Sequence, residues 1–333
     1  MRRRNAILTI VLLGCFALLR GAQAIVPPPD GGYPGGNTAE GQAALLSLTT
    51  GGFNTAVGFL SLRNDAEGQL NTAIGAGTLV FNTADENTAT GAGALLTNTT
   101  GSSNTANGTF ALLSNIDGSD NSAFGWDALA SNTTGFGNTA TGANALRNNT
   151  EGGTNTATGV QALFTNTTGQ DNTATGYQAL FFNNGDPNNG EGVENSAFGA
   201  YALGNSTTGS LDSAFGWSAL GFNTIGFSNT AIGGLALSSN TEGNFNTAVG
   251  EAALSSNMTG GFNTAVGREA LVHATGTGNT GLGDQAGLNS VNFREDFFLL
   301  PLSHQDSFEL LVMQCVRKPS QHLQMAARGR TNQ

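Results

Sequence analysis

The chain has 333 residues, of which 49 are Gly and 11% are charged, and its formal net charge is −11. So few charges combined with 38% hydrophobic residues argue against a disordered chain and indicate a repetitive, narrow architecture with a core of small side chains. Between Asn37 and Gly287 there are three basic and 18 acidic residues. We therefore expect a surface that repels nucleic acid and lacks a basic patch for anionic lipid.

The first 24 residues have the pattern of a secretory signal peptide. A basic start at Arg2 to Arg4 precedes an apolar run that is too short to span a membrane, and Ala22-Gln-Ala24 forms a cleavage site. An alternative is a lipoprotein signal with its lipid on Cys15. Either signal predicts a secreted or cell-surface protein. Residues 25–36 are rich in Pro and Gly and are expected to form a flexible linker.

The segment from Asn37 to Gly287 consists of fifteen copies of one unit, N-T-A-x-G-x-x-A-L-x-x-N-T-T-G-x-x. We number its positions 1 to 17 from the first Asn and call each copy a coil. The period is too short for paired-helix or leucine-rich repeats, so it predicts an all-β fold, a parallel β-solenoid of about fifteen 17-residue coils. One longer step, from Asn183 to Glu194, predicts a loop that bulges from a single coil. The coils begin at Asn37, Asn54, Asn71, Asn87, Asn104, Asn121, Asn138, Asn155, Asn172, Asn195, Asp212, Asn229, Asn246, Asn263 and Asn279.

Small and apolar residues recur at fixed coil positions. Position 5 is Gly in all fifteen coils, and positions 3 and 9 are Ala and Leu in fourteen each. Stacked rows of Ala and Leu would fill the core, and the Gly would provide a turn with positive φ or a close backbone contact. Positions 6 to 9 are compatible with a second short strand or with a helical turn. The Asn residues at positions 1 and 12 are turn residues that could stack into amide ladders.

Position 4 lies between Ala and Gly and is expected to point away from the core by strand alternation. Many coils carry an apolar residue there, which predicts an exposed stripe through which a homotrimer assembles. The alternative is that the two faces are inverted and position 4 lies inside. The predicted interface residues are Val57, Ile74, Phe124, Phe198, Phe215, Ile232, Val249 and Val266.

Two stretches carry a resemblance to known families: "NTAIGAGTL" from Asn71 and "NTAVGEAAL" from Asn246. They resemble the head repeats of YadA-like trimeric autotransporter adhesins, and the full unit resembles repeats of bacterial and phage-like tail-fibre proteins that often end in an endosialidase-type chaperone. The resemblance implies a left-handed parallel β-roll, a trimer and a role in attachment outside the cell. This chain departs from it in its 17-residue period, where the adhesin heads have fourteen, and in the absence of a recognisable stalk, transmembrane anchor or chaperone domain.

Residues 288–333 do not follow the repeat and hold the single lysine, Lys318. This atypical tail is compatible with a capping segment, and equally with a truncated or frame-shifted gene. Its Cys315 is the one cysteine left once the signal is removed, so no internal disulfide framework is expected.

The predicted function is a secreted or surface-exposed structural or adhesive rod that attaches to a surface, glycan or matrix through an unknown receptor. We predict no catalytic, cofactor-binding or metal-binding residues, because His and Cys are scarce and form no cluster at ligand spacing. One alternative is an ice-binding solenoid, based on the Thr-Ala-Thr words at Thr88, Thr139, Thr156 and Thr173, the last three of which lie on consecutive coils. A secreted polysaccharide-acting enzyme is another.

Overall fold

The protein is described by a computed structural model that covers residues 33–288 and 294–299, and the backbone of residues 311–314. In these residues the chain forms a parallel β-solenoid, which confirms the predicted fold class. Each coil contributes one three-residue strand at positions 2 to 4. A 3₁₀ turn at Pro34–Gly36 precedes the first coil, and another, at Pro187–Asn189, lies in the long insertion.

Strands β1 to β16 pair in chain order, all parallel, and β17 pairs with β16 antiparallel. The strands are β1 Thr38–Glu40, β2 Thr55–Val57, β3 Thr72–Ile74, β4 Thr88–Thr90, β5 Thr105–Asn107, β6 Ser122–Phe124, β7 Thr139–Thr141, β8 Thr156–Thr158, β9 Thr173–Thr175, β10 Ser196–Phe198, β11 Ser213–Phe215, β12 Thr230–Ile232, β13 Thr247–Val249, β14 Thr264–Val266, β15 Thr280–Leu282, β16 Asp296–Leu299 and β17 Leu311–Gln314.

The register places identical coil positions side by side along the whole stack. Thr156 pairs with Thr139 and Thr173, and Ala157 pairs with Ala140 and Ala174. A change in loop length does not disturb this register: coil 9 has 23 residues, yet Ala174 still pairs with Ala197. Each strand residue of an inner coil therefore lies beside the residues at the same position in the two neighbouring coils.

The core consists of three rows of side chains, from positions 3, 8 and 9. Ala140, Ala145 and Leu146 of coil 7 are fully buried, and the same pattern runs through the other central coils. Each coil alone buries little apolar surface, so stability must come from contacts between neighbouring coils. Because position 3 points inward and position 4 outward, the alternative of inverted faces is wrong.

The segment at positions 6 to 9 is neither a second strand nor a helical turn. The N–H at position 8 donates to the carbonyl of the Gly at position 5 and so closes a turn. In coil 7 this bond joins Ala145 N to Gly142 O at 3.3 Å. Leu146 N then donates to Ala162 O of the next coil at 3.0 Å. The Leu at position 9 has a left-handed backbone in all fourteen coils that carry it, with φ between 46° and 52°.

The Asn residues at positions 1 and 12 are buried inside the coil instead of lying on exposed turns. Both ladders that the sequence suggested are present. Asn138 Nδ2 donates to Asn121 Oδ1 at 3.1 Å, and Asn149 Nδ2 donates to Asn132 Oδ1 at 2.8 Å. Within one coil the two rows meet, because Asn138 and Asn149 both donate to the carbonyl of Gly152. The ladders thus satisfy buried backbone carbonyls along the axis.

The solenoid continues beyond its predicted end at Gly287. Strand β16 adds to the stack in register, and Asp296 N donates to Asn279 Oδ1 at 3.3 Å, as a position-1 residue does. Phe298 stands at position 3 and is 1% exposed, so it covers the end of the Ala and Leu core. Residues 294–299 therefore add a sixteenth strand to the solenoid, although their sequence does not follow the repeat unit.

At the other end, the last part of the Pro/Gly-rich segment is folded. Tyr33 forms a bridge with Asn37 and packs against the core, and Asn37 Nδ2 donates to Pro34 O. The predicted signal peptide, the rest of the linker and both cysteines lie outside the described residues.

Candidate functional site

The predicted interface residues lie on one outward row of the parallel sheet. Seven of the eight are exposed, with 37 to 43% of the residue surface accessible, and Val249 is half-buried. Because strands pair in exact register, each of these side chains lies beside the position-4 residue of the next coil. Phe198 and Phe215 stack with ring centroids 4.8 Å apart and planes 6° apart.

The row is not one continuous apolar stripe. Coils 2 and 3 carry Val57 and Ile74, and coils 10 to 14 carry apolar residues from Phe198 to Val266. Between these two blocks position 4 is Thr or Asn, except at Phe124. We call them the N-terminal and C-terminal apolar blocks. The structure therefore brings the predicted residues together in two groups and leaves Phe124 by itself.

Exposed apolar residues also occur at position 17, just before position 1 of the next coil. At position 17, Phe53 and Leu70 are exposed in coils 1 and 2, and Phe245 and Phe262 are exposed in coils 12 and 13. Phe245 and Phe262 stack at 5.0 Å. The central coils carry polar or small residues at that position, such as Glu86. In both rows the apolar residues of the first coils are separated from those of the later coils by a mostly polar segment.

Two carboxyl groups replace Asn in the buried ladders. Asp212 stands at position 1 of coil 11 and accepts hydrogen bonds from Asn229 N, Asn229 Nδ2 and Asn223 Nδ2. Burial raises the pKa of the Asp212 carboxyl to about 7, although these hydrogen bonds lower it. Burial also raises the pKa of Asp65, at position 12 of coil 2, against a hydrogen bond from Gly68 N.

A break in the second ladder accompanies Asp212. Position 12 of coil 10 is Ser206, whose hydroxyl is buried and has no partner among the described residues. Asn223 of the following coil therefore lacks an Oδ1 below it and donates to Asp212 Oδ2 at 2.8 Å. The Asp212 carboxyl of the position-1 ladder thus accepts the hydrogen bond that an Asn in place of Ser206 would accept in the position-12 ladder.

Sequence reasoning missed an open groove on coils 9 to 11, on the segment that follows the position-5 Gly. Its volume is about 470 Å³. The lining comes from positions 6, 7, 10 and 11 of these three coils. Equivalent positions are seventeen or more residues apart in sequence but adjacent in the stack. The signal in the sequence is a pair of glycines at position 10 of successive coils. The lining residues are Gln178, Phe181, Phe182, Tyr201, Gly204, Asn205, Trp217, Ser218, Gly221 and Phe222.

Within the described ranges, no group of three His, Cys, Asp or Glu is placed to hold a metal ion. In that same part of the chain, no helix has the length and apolar character needed to cross a bilayer. The fold thus defines the chain as a parallel β-solenoid protein. Comparison with protein-family models and with curated protein sequences finds no match.

Proposed function

We propose that the chain is a secreted or surface-exposed rod that attaches to a surface, glycan or matrix. The observation that carries the proposal is the long solenoid with apolar and aromatic side chains exposed in rows on its outside. Exposed apolar patches of this kind mark association surfaces in soluble proteins. A regular stack also keeps such side chains at a fixed spacing, as attachment to an extended ligand requires.

We further propose that the rod is a homotrimer joined through the N-terminal and C-terminal apolar blocks. Position 4 lies on the outer face of a parallel sheet, and a narrow coil filled with Ala has little core of its own. Lateral association would bury Phe198, Phe215 and their neighbours, which otherwise create a risk of aggregation. The polar middle of the row then lies between two contact regions.

Attachment is tested by immobilising the purified full chain and measuring retention of cells, matrix proteins and arrayed glycans. We expect saturable retention by at least one class of surface. Assays for release of reducing sugar from the same glycans run alongside. Glycan hydrolysis without retention would contradict attachment and favour the enzyme alternative.

Ice binding is a second candidate, which one observation favours. Thr forms two columns on three consecutive coils, paired in register at positions 2 and 4. The columns are Thr139, Thr156 and Thr173, and Thr141, Thr158 and Thr175. Ice-binding solenoids present a similar flat Thr array. Freezing-point hysteresis of the purified chain tests this function directly, and its absence would contradict it.

A further inference from the structure

We propose that the groove on coils 9 to 11 binds a stretch of uncharged oligosaccharide. This inference rests on the proposed attachment function and names the class of ligand that the rod would hold. It depends on the shape of the groove, on its aromatic walls and on its neutral polar groups.

The groove exists because two successive coils have no side chain at position 10. Coils 8 and 9 carry Phe164 and Phe181 there, stacked at 5.1 Å, and coils 10 and 11 carry Gly204 and Gly221. Both glycines are buried and form the floor. The row of large side chains therefore ends at Phe181 and leaves a depression.

Aromatic side chains surround this floor and are exposed to solvent. Trp217 is 56% exposed and Phe222 61%, and Tyr201 and Phe182 are also exposed. The Tyr201 ring packs edge-on against Tyr177 at 5.3 Å, and Phe182 packs edge-on against Phe181 at 4.6 Å, so neighbouring rings restrain both. Restrained aromatic rings offer apolar contact area at low entropic cost. The apolar C–H faces of pyranose rings fit such surfaces.

The polar groups of the groove are neutral amides and a hydroxyl. Asn205 Nδ2 donates to Gly221 O at 2.6 Å, and Gln178 Nε2 donates to Gln161 Oε1 at 2.8 Å, so both amides are oriented by the fold. The Ser218 hydroxyl lies beside them in the lining. No charged side chain lines the groove. Small-molecule sites usually combine aromatic walls with a few oriented polar groups. The amides and the hydroxyl of this groove can exchange hydrogen bonds with sugar hydroxyls.

The size of the groove fits a short part of a linear glycan. Coils 9 and 11 are two steps apart in the stack, which is roughly 10 Å and corresponds to about two sugar rings. The groove is open, so a longer chain can continue past it. The net charge of −11 disfavours acidic polysaccharides.

The groove does not coincide with the proposed trimer interface. Position 4 precedes the turn at the position-5 Gly, and the groove begins at position 6 with Trp217, after that turn. Both surfaces can therefore be occupied at once. If a second copy of the chain filled the groove instead, a change in its walls would change the oligomeric state.

The test is a calorimetric titration of the full chain with cellohexaose, mannohexaose and chitohexaose. We expect saturable binding of at least one of them, and we expect Trp217→Ala to weaken it about tenfold through loss of ring contact. Trp126→Ala is the matched control, because Trp126 also stands at position 6 and is 48% exposed on coil 6. It should leave the affinity unchanged.

Gly204→Leu provides a second variant, which fills the floor and should abolish binding. Leu96 and Leu113 occupy the same position in coils 4 and 5, so the solenoid accommodates this side chain. Ser255→Leu, at position 10 of coil 13, is the control. The proposal is overturned if none of the three sugars binds, if Gly204→Leu binds like the wild type, or if Trp217→Ala changes the mass measured by light scattering.

These outcomes separate the groove from the attachment function. A wild-type chain that is retained on surfaces but binds none of the three sugars overturns the groove proposal and leaves attachment standing. A chain that binds a sugar with the expected variant pattern but holds no surface supports the groove and contradicts attachment.

Discussion

At the scale of single residues, the position-5 Gly is required by backbone contact between coils. Gly142 has a φ of 131°, and a Cβ there would lie 2.6 Å from the carbonyl oxygen of Gly159 in the next coil. The same geometry recurs in the other coils, where φ of this Gly ranges from 119° to 147°. Both a left-handed φ and a close approach therefore exclude any other residue.

We predict that Gly142→Ala destabilises the solenoid by roughly 2–5 kcal/mol, since the new methyl group must push two coils apart. Urea denaturation followed by circular dichroism measures the loss. Gly234→Ala is the control, because a Cβ at Gly234 meets nothing within 4 Å. An equal loss in both variants would show that the contact between coils is not the cause.

Asp212 makes the stability of the solenoid depend on pH. Its pKa is about 7 in the folded protein and 3.8 for the free side chain, so the folded state holds the proton more tightly than the unfolded state. Its contribution to stability is complete below about pH 4 and is lost as the pH rises through 7. The difference of about three pKa units corresponds to roughly 4 kcal/mol at pH 8.

Asp212→Asn is therefore expected to raise the thermal midpoint more at pH 8 than at pH 4, where the contribution of the protonated Asp212 is almost complete. The new Nδ2 group would also donate to Gly226 O, as Asn residues do at this position in other coils. Thermal melts at both pH values measure the effect. Exposed Asp117 serves as control, and Asp117→Asn should change neither midpoint. A lower midpoint for Asp212→Asn at pH 8 would contradict the assigned role of burial.

At the scale of the coil, the buried Asn ladders replace the side-chain core that small residues cannot supply. Asn149 donates to Asn132 Oδ1 and Gly152 O, and its Oδ1 accepts from Asn166 Nδ2 at 2.9 Å. Each such amide is a member of an axial chain of hydrogen bonds shielded from water. A ladder member that is removed leaves donors and acceptors buried without partners, which costs more than the bond itself contributes.

We predict that Asn149→Ala lowers the unfolding free energy by roughly 2–5 kcal/mol, from the unpaired groups on both neighbouring coils. Denaturant titration gives this value. Asn148→Ala changes the adjacent, half-exposed residue and should cost less than about 0.5 kcal/mol. If both variants lose the same stability, the ladder contributes no more than an ordinary surface amide.

The turn leucines show a second feature of the coil. A left-handed backbone costs an L-residue roughly 1–2 kcal/mol, and Leu is an unusual choice for it. Leu146 holds this conformation because its side chain is fully buried and its N–H donates to Ala162 O of the next coil. The strain is thus tolerated where neighbouring coils determine both the side chain and the backbone.

At the scale of the whole molecule, the position-4 row has two apolar blocks separated by a mostly polar segment. Association through both blocks would bury the apolar side chains of position 4. Full burial of one such side chain contributes about 1.5 to 3 kcal/mol to the free energy of association. The stacked pair Phe198 and Phe215 lies at the start of the C-terminal block.

We predict a trimer for the wild-type chain, and monomers or insoluble protein for Phe198→Asp combined with Phe215→Asp. Two buried carboxylates would oppose association, and light scattering after size exclusion measures the mass. Phe81→Asp combined with Ile116→Asp changes two exposed apolar residues away from position 4 and should leave the trimer intact. A soluble wild-type monomer would contradict the proposed interface.

The sequence by itself determined the period, the all-β solenoid and the opposite orientation of positions 3 and 4. Local alternation puts Ala140 and Phe215 on opposite faces of their strands, and the structure decided that the Ala face is the inner one. The tertiary structure alone decided the burial of Asn149, the left-handed backbone of Leu146, the groove between Gly204 and Trp217 and the sixteenth strand at Asp296–Leu299. Each of these four features depends on contacts with residues of an adjacent coil. Those residues are distant in sequence, and only the register of the stacked coils brings them together.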